Sequence, residues 1–359
     1  MNNIKIYTFY NNKGGVGKTT LCSNAATLYA KKHPNTQVLV IDMCPQANIS
    51  QFLLGGGRKG YENNQKLQSS FTRRNIVGFI DWLLKGNANF RTPKTSYKVQ
   101  ISPYNSYITN NLYLIAGDSF LESFSLALNY AVINPANTKA WLEYMTAIKR
   151  LCVYEFAQNQ YENMVVFIDC NPSFSIYTQM ALVSSDKLVI PMMADFSSLE
   201  GIKGLFMLLF GKYPSAALKK YADDVITFNK QVDSFNLQLP VIWEFVFNNY
   251  TIKHGVAAAF ESIKTELNTF CYEQFQQFPL LFAKCDPSPT CITEWEKCYV
   301  SGIKDFHTSG KVSSSLGIPM FLLPNQSKYA MPNGRNVKLP TSNYEQALQE
   351  IEKFVDKLS

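Results

Sequence analysis

Asn11-Asn12-Lys13-Gly14-Gly15-Val16-Gly17-Lys18-Thr19-Thr20 is the stretch that decides the fold. Before it, Ile4-Lys5-Ile6-Tyr7-Thr8-Phe9-Tyr10 is rich in β-branched and aromatic side chains and reads as a strand. After it, Leu21, Ala25, Leu28 and Tyr29 recur at helical spacing, with Pro34 beyond the end. Strand, glycine-rich loop and helix in that order make a phosphate cradle. Glycine lets successive backbone N–H groups turn inward around an anion, and the positive end of the helix points at it. Lys18 then supplies a point charge to the β and γ phosphates of a nucleotide, and the Thr19 hydroxyl is placed to ligate Mg²⁺. A glycine turn closing an unrelated strand-helix pair is the competing reading. Six specified residue types in the required context weigh against it.

The rest of the composition is that of an ordinary globular chain: 359 residues, 46% hydrophobic and 17% charged. No apolar run reaches the ~18 residues that cross a bilayer, and Met1-Asn2-Asn3-Ile4-Lys5 lacks a basic head and apolar stretch. Export and membrane spanning are therefore not expected, and the eight cysteines are expected to be reduced thiols in the cytoplasm. The series Cys285, Cys291, Cys298 lacks the C-x-x-C spacing of a zinc site and is read as structural. The net charge of +7 is regional: residues 58 to 98 hold nine basic side chains against Glu62 and Asp81, so the remainder is neutral.

The usual G-x-x-x-x-G-K-[ST] pattern wants glycine at position 12, where this chain has Asn12 followed by a second lysine, Lys13. That is the deviant form of the Walker A motif, and with it the sequence resembles the ParA/MinD family of ATPases, nearest the ParA/Soj partition branch. Val38-Leu39-Val40-Ile41 runs into Asp42-Met43-Cys44-Pro45-Gln46-Ala47-Asn48, similar to the family's D-x-D-P-Q-G-N switch. Asn111 to Asp118 resembles its middle strand and turn. Val165-Val166-Phe167-Ile168-Asp169-Cys170-Asn171-Pro172-Ser173 resembles its Walker B strand and second switch, with Asn171 where proline is usual. Leu188-Val189-Ile190-Pro191 and Leu199-Glu200-Gly201 match the next strand and helix start.

The resemblance implies a dimer that sandwiches two ATP molecules, with Lys13 reaching the partner's phosphates and Gly14, Gly15, Val16, Gly17, Lys18, Thr19 and Thr20 forming the cradle. Asp42 and Asp169 end neighbouring apolar runs, and both are expected near Mg²⁺. Cys44 stands where the family carries the aspartate that positions the attacking water. A thiol accepts hydrogen bonds poorly, so ATP binding with slow hydrolysis is expected unless Asp42 or a partner group takes over. Asn248 and Asn249, after the strand Val241 to Phe247, resemble the family's adenine-reading position, and the residues leave the choice between them open.

Partition ATPases bind DNA without regard to sequence through surface lysines and work with an adaptor that stimulates hydrolysis. Lys212, Lys219, Lys220 and Lys253 match the family's basic positions approximately, each also readable as a solvated surface charge. The segment 58–105 reads as a basic insertion whose apolar core, Ile76 to Leu84, docks on the main body and leaves Arg73, Arg74, Lys85, Arg91, Lys94 and Lys98 on flanking loops. The C-terminal stripe of Tyr344, Leu348, Ile351, Phe354, Val355 and Leu358 has an acidic outer face, which anionic lipid repels, and is expected to pack on the sheet.

The expectation is thus one α/β domain over 1–359, P-loop NTPase-like, with a mostly parallel sheet covered by helices on both faces. Strands fall near 4, 38, 112, 165, 188, 241 and 318. The implied activity is that of an ATP-dependent dimerising switch that positions or segregates DNA, as in plasmid partition, or another cargo. An ATP-sensing module with little turnover is the alternative. A redox or metabolic ATPase on the same scaffold is disfavoured by the lack of C-x-x-C.

Overall fold

Strands buried on both faces have to be apolar along their whole length, and the uninterrupted runs in this chain build the centre of a parallel sheet. The computed structural model describes residues 3–358 except Phe71, Phe90, Asn159, 251–256, 326–327, Asn333 and Pro340, and except the side chains of 249–250, 257–260, 324–325 and 341–343. Its strands are β1 (Ile4–Phe9), β2 (Thr36–Met43), β3 (Val99–Gln100), β4 (Leu112–Ile115), β5 (Asn163–Cys170), β6 (Lys187–Met192), β7 (Val241–Tyr250) and β8 (Val300–Lys304). They lie in the order β3-β4-β2-β5-β1-β6-β7-β8. Every neighbouring pair is parallel except β3 with β4.

Side chains alternate across β1, so Ile6 enters the core on one face while Tyr7 and Phe9 enter the core on the other. The second core is closed by the helix Lys18–Lys32 and by the C-terminal helix Thr341–Asp356. Tyr344, Ile351, Phe354, Val355 and Leu358 are all buried there, and Phe354 meets Phe9 edge to face. The stripe at the C-terminus therefore packs inward. The mostly parallel α/β sheet expected from the sequence is the architecture found.

Three expectations need correction. No strand lies at 318: Ile318 is buried before a 3₁₀ turn, Met320–Asn325, and the eighth strand of the sheet is Val300–Lys304. Pro319 and Pro324 remove the backbone donors that a strand there would need. Cys285 and Cys298 are joined in a disulfide, bringing the prolines 287 and 289 into a closed loop, while Cys291 is free and exposed. Arg73, Arg74 and Lys98 do lie on loops flanking the apolar core, but each is tied down there rather than left as an open basic patch. Arg73 pairs with the buried Asp118, Arg74 donates to the carbonyls of Ser96 and Lys98, and Lys98 is buried against Glu155. Arg58, Lys59, Lys66, Lys85, Arg91 and Lys94 remain at least partly exposed.

Candidate functional site

The loop after β1 enters its helix through Gly17, whose φ of 79° suits glycine, and Gly15 is likewise left-handed at 75°. No side chain caps this helix and its first turn carries no acid, so its leading N–H groups are left to an anion. Val16 is fully buried and anchors the turn. Asn248, buried at the end of β7, donates its amide to the carbonyls of Val16 (3.2 Å) and Gly17 (3.3 Å). A Cβ on Gly17 would lie 1.8 Å from that amide nitrogen. The asparagine proposed to read adenine is therefore turned onto the loop itself; the side chain of Asn249 and all of Lys253 lie outside the described residues.

Lys18 is buried and donates to the carbonyls of Lys13 (2.7 Å) and Asn11 (3.3 Å), curling over the loop. Burial lowers the pKa of its ammonium, and Asp169 opposes that shift. Lys13 goes the other way. Its ammonium pairs with Asp195 and donates to Ser198 Oγ at 3.3 Å, both in the same chain. Asp195 also caps the helix Phe196–Phe210 by accepting from Ser198 N at 2.8 Å. That helix starts three residues earlier than the sequence reading placed it, and neither Asp195 nor Ser198 was singled out there. The signal was present as a capping aspartate with serine three residues on, but only the fold brings it to Lys13. Asp195→Ala frees that ammonium and is expected to lower the ATP concentration needed for self-association about threefold, since the pair is partly exposed. Light scattering across an ATP titration reads the shift, and an unchanged midpoint removes the restraint from consideration.

The pairing of β2 with β5 sets Asp42 directly beside Asp169. Their environments differ. Asp42 accepts from Cys44 N (3.0 Å), Ser50 N (3.2 Å) and Ser50 Oγ (2.6 Å), and Ser50 Oγ accepts in turn from Gly117 N (2.8 Å). Both of its oxygens are occupied with holding the switch turn. Asp169 accepts from Thr19 Oγ1 at 2.7 Å through one oxygen, and its other oxygen is buried with no partner. Burial raises both carboxyls, and Asp42 raises Asp169 further. An orphaned carboxylate oxygen beside a threonine hydroxyl is a donor set whose chemistry suits Mg²⁺.

Cys44 opens the switch turn with its thiol pushed up to about 12, chiefly by burial and then by Asp42. Three residues on, Ala47 adopts φ 52° where the resembling motif has glycine, and it is buried. Ala47→Gly trades relief of ~1–2 kcal/mol of left-handed strain against a comparable loss of methyl burial and chain entropy, so its stability should stay within about 1 kcal/mol. Ala47→Val adds a branched side chain to the same backbone and is expected to cost about 2 kcal/mol or more, read by urea unfolding.

Two of the basic positions expected from the sequence, Lys212 and Lys219, line one pocket together. Lys212 follows the helix Phe196–Phe210 with its ammonium 4.2 Å above the Phe278 ring, while Lys219 and Lys220 stand exposed on the helix Ala216–Asp223.

This cradle, its two lysines and its paired aspartates lie within the stretch 4–210 that matches the AAA domain family AAA_31, more than half of the chain. The chain belongs to this family. Its relatives place it among the ParA/MinD P-loop ATPases. The chromosome partitioning protein ParA of Caulobacter vibrioides is 28% identical over 204 residues, 57% of this chain and 61% of that one. The sporulation initiation inhibitor protein Soj of Bacillus subtilis is 27% identical over 201 residues, 56% of this chain and 63% of that one. Such matches span about 60% of the relatives' own length. Two solved structures share the fold. A putative plasmid partition protein from Borrelia burgdorferi B31 bound to AMPPNP is 22% identical, with 98% of each chain covered and a TM-score of 0.51. A variant of Cyanothece McdA in complex with ATP is 15% identical, covering 100% of this chain and 97% of that one with a TM-score of 0.57. No helix among the described residues of this AAA_31 member is long and apolar enough to cross a membrane.

Proposed function

We propose that this protein is an ATP-dependent dimerising switch of the ParA type, acting in the cytoplasm as one domain over 1–359, that positions or segregates DNA or another cargo. The observation that carries the reading is one uncapped helix start behind a glycine loop, with the buried Lys18 folded over that loop and a half-satisfied aspartate against Thr19. In this reading the backbone N–H groups from Gly14 to Thr20 and the Lys18 ammonium hold the phosphates. Thr19 and Asp169 would hold Mg²⁺, which would supply charge neutralisation for the phosphates. Asp42 keeps the switch turn in place from beside them.

Lys13 is the group that reports the triphosphate. A second ammonium stabilises charge at the γ position, and its release from Asp195 is what lets it serve a twin subunit. Lys212, Lys219, Lys220 and Lys253 then supply non-specific attraction to DNA phosphates, which falls steeply with salt. An adaptor protein that accelerates hydrolysis completes the cycle. The second reading, an ATP-sensing module with little turnover, is favoured by the protonated Cys44 thiol.

Size-exclusion chromatography with ATP, ADP or no nucleotide, repeated with duplex DNA at low and high salt, tests the proposal. The expected result is a dimer with ATP alone that co-elutes with DNA only at low salt. A species unchanged by ATP defeats it. ATPase assays with and without DNA separate the switch from the sensor.

A further inference from the structure

Residues three and seven apart share one side of a helix, and Glu261, Lys264 and Asn268 do so on the helix Ala257–Gln277. With Glu296 and Lys297 of the helix Ile292–Tyr299 and Glu350 of the helix Thr341–Asp356 they line a cavity of about 590 Å³. Its size lies within the ~300–1,000 Å³ of small-ligand sites. The cavity shares no lining residue with the phosphate cradle, and all of it falls outside the stretch 4–210 that matches the family.

What the walls offer is mostly acceptors. Asn268 is only 1% exposed; its Nδ2 donates to Glu296 at 2.6 Å, and its Oδ1 is buried without a partner. An orphaned amide oxygen at a cavity wall calls for a donor from outside the chain. Glu296 accepts that single bond, and its second oxygen takes none among the described residues. Glu350 is held in place by accepting from Lys304 N at 2.7 Å. Lys264 is already engaged, 3.9 Å from Glu261 and 6.0 Å from the centre of the Phe247 ring. The acids lining the cavity outnumber the lysines, so its ligand should carry N–H donors and positive charge. Yet no group of three acids, histidines or cysteines among the described residues is arranged to hold a metal ion. The carboxylates do not gather round one point charge.

We infer that this cavity binds an aliphatic polyamine, a cation whose charges are themselves spread along a carbon chain. One ammonium donates to Asn268 Oδ1 and to the open oxygen of Glu296, and a second lies by Glu350. The methylenes between them cover Phe247 and Val300, the apolar part of the wall. This site goes beyond the nucleotide switch and does not depend on it.

Calorimetric titration of the full chain with spermidine at fixed ionic strength, without nucleotide, is the test. One saturable site is expected, and Mg²⁺ alone should not fill it. Glu296→Gln removes a charge-assisted hydrogen bond and is expected to weaken spermidine about tenfold or more. Glu273→Gln deletes the same charge from an exposed position on the same helix, outside the cavity, and should stay within about twofold of the unaltered chain. Asn268→Leu replaces the orphaned group with an apolar side chain, so it should weaken spermidine while the melting temperature holds or rises. Should that variant fail to fold, the comparison of Glu296→Gln with Glu273→Gln decides alone. Absence of saturable binding, equal occupation by Mg²⁺, or equal weakening in the two glutamate variants overturns the inference, the last by reducing it to surface attraction. Each of these outcomes leaves the nucleotide reading standing.

Discussion

Cys44→Asp is expected to raise the turnover of ATP by about 10²-fold or more, the range that one positioned general base contributes. The backbone at this position is already fixed, because Cys44 N donates to Asp42 at 3.0 Å and Ala47 N closes the turn on Cys44 O at 3.0 Å. A new carboxylate therefore enters a prepared place rather than a loose loop. The wild-type thiol, pushed up to about 12 by burial and by Asp42, keeps its proton at neutral pH and has no capacity to take one from water. The same surroundings impose a cost on the variant. A third carboxylate beside Asp42 and Asp169 is disfavoured without a cation, so the free variant should melt lower and recover with Mg-ATP. Phosphate release at saturating ATP decides the matter: a variant no faster than a wild type of ordinary family activity removes Cys44 as the reason for slow hydrolysis.

Gly17→Ala should reduce ATP affinity by about 100-fold. Its φ of 79° charges any L-residue ~1–2 kcal/mol, and the added Cβ lands 1.8 Å from Asn248 Nδ2. Asn248 must then leave the carbonyls of Val16 and Gly17, which forfeits two hydrogen bonds at ~0.5–1.5 kcal/mol each. Together these come to about 3 kcal/mol and reshape the cradle that presents the N–H groups. Adding Asn248→Ala to Gly17→Ala removes the clash but not the backbone strain, so the pair should recover only part of the affinity. ATP titration of the single and double variants checks this, and a single variant that binds like wild type contradicts the geometry described.

The cradle and the central strands were legible because each is local. A glycine loop between a strand and a helix is complete within about twenty residues, and β2, β5 and β6 are buried almost from end to end. The edge was not. Val300-Ser301-Gly302-Ile303-Lys304 is half polar because only one of its sides is buried, and it carries little strand signal beside the apolar but proline-broken stretch after Leu316. Contacts between distant residues escaped for the same reason. Asp195 lies 182 positions from Lys13, Asn248 lies 231 from Gly17, and only the sheet order brings each to the loop. The pairing of Cys285 with Cys298 depends on how the helix Ile292–Tyr299 folds back, which spacing alone does not encode. The expectation that Asn248 or Asn249 reads adenine came from pattern alone; the contacts of Asn248 to the carbonyls of Val16 and Gly17 depend on where β7 ends beside the loop.

The register that sets Asp42 against Asp169 has an outcome beyond positioning. Two acids side by side in a dry setting hold on to hydrogen ions that isolated carboxylates would have shed. In the reading proposed above, a divalent ion at the open oxygen would have to displace one of them, so that loading would release acid into the medium and mild acidity would compete with the metal.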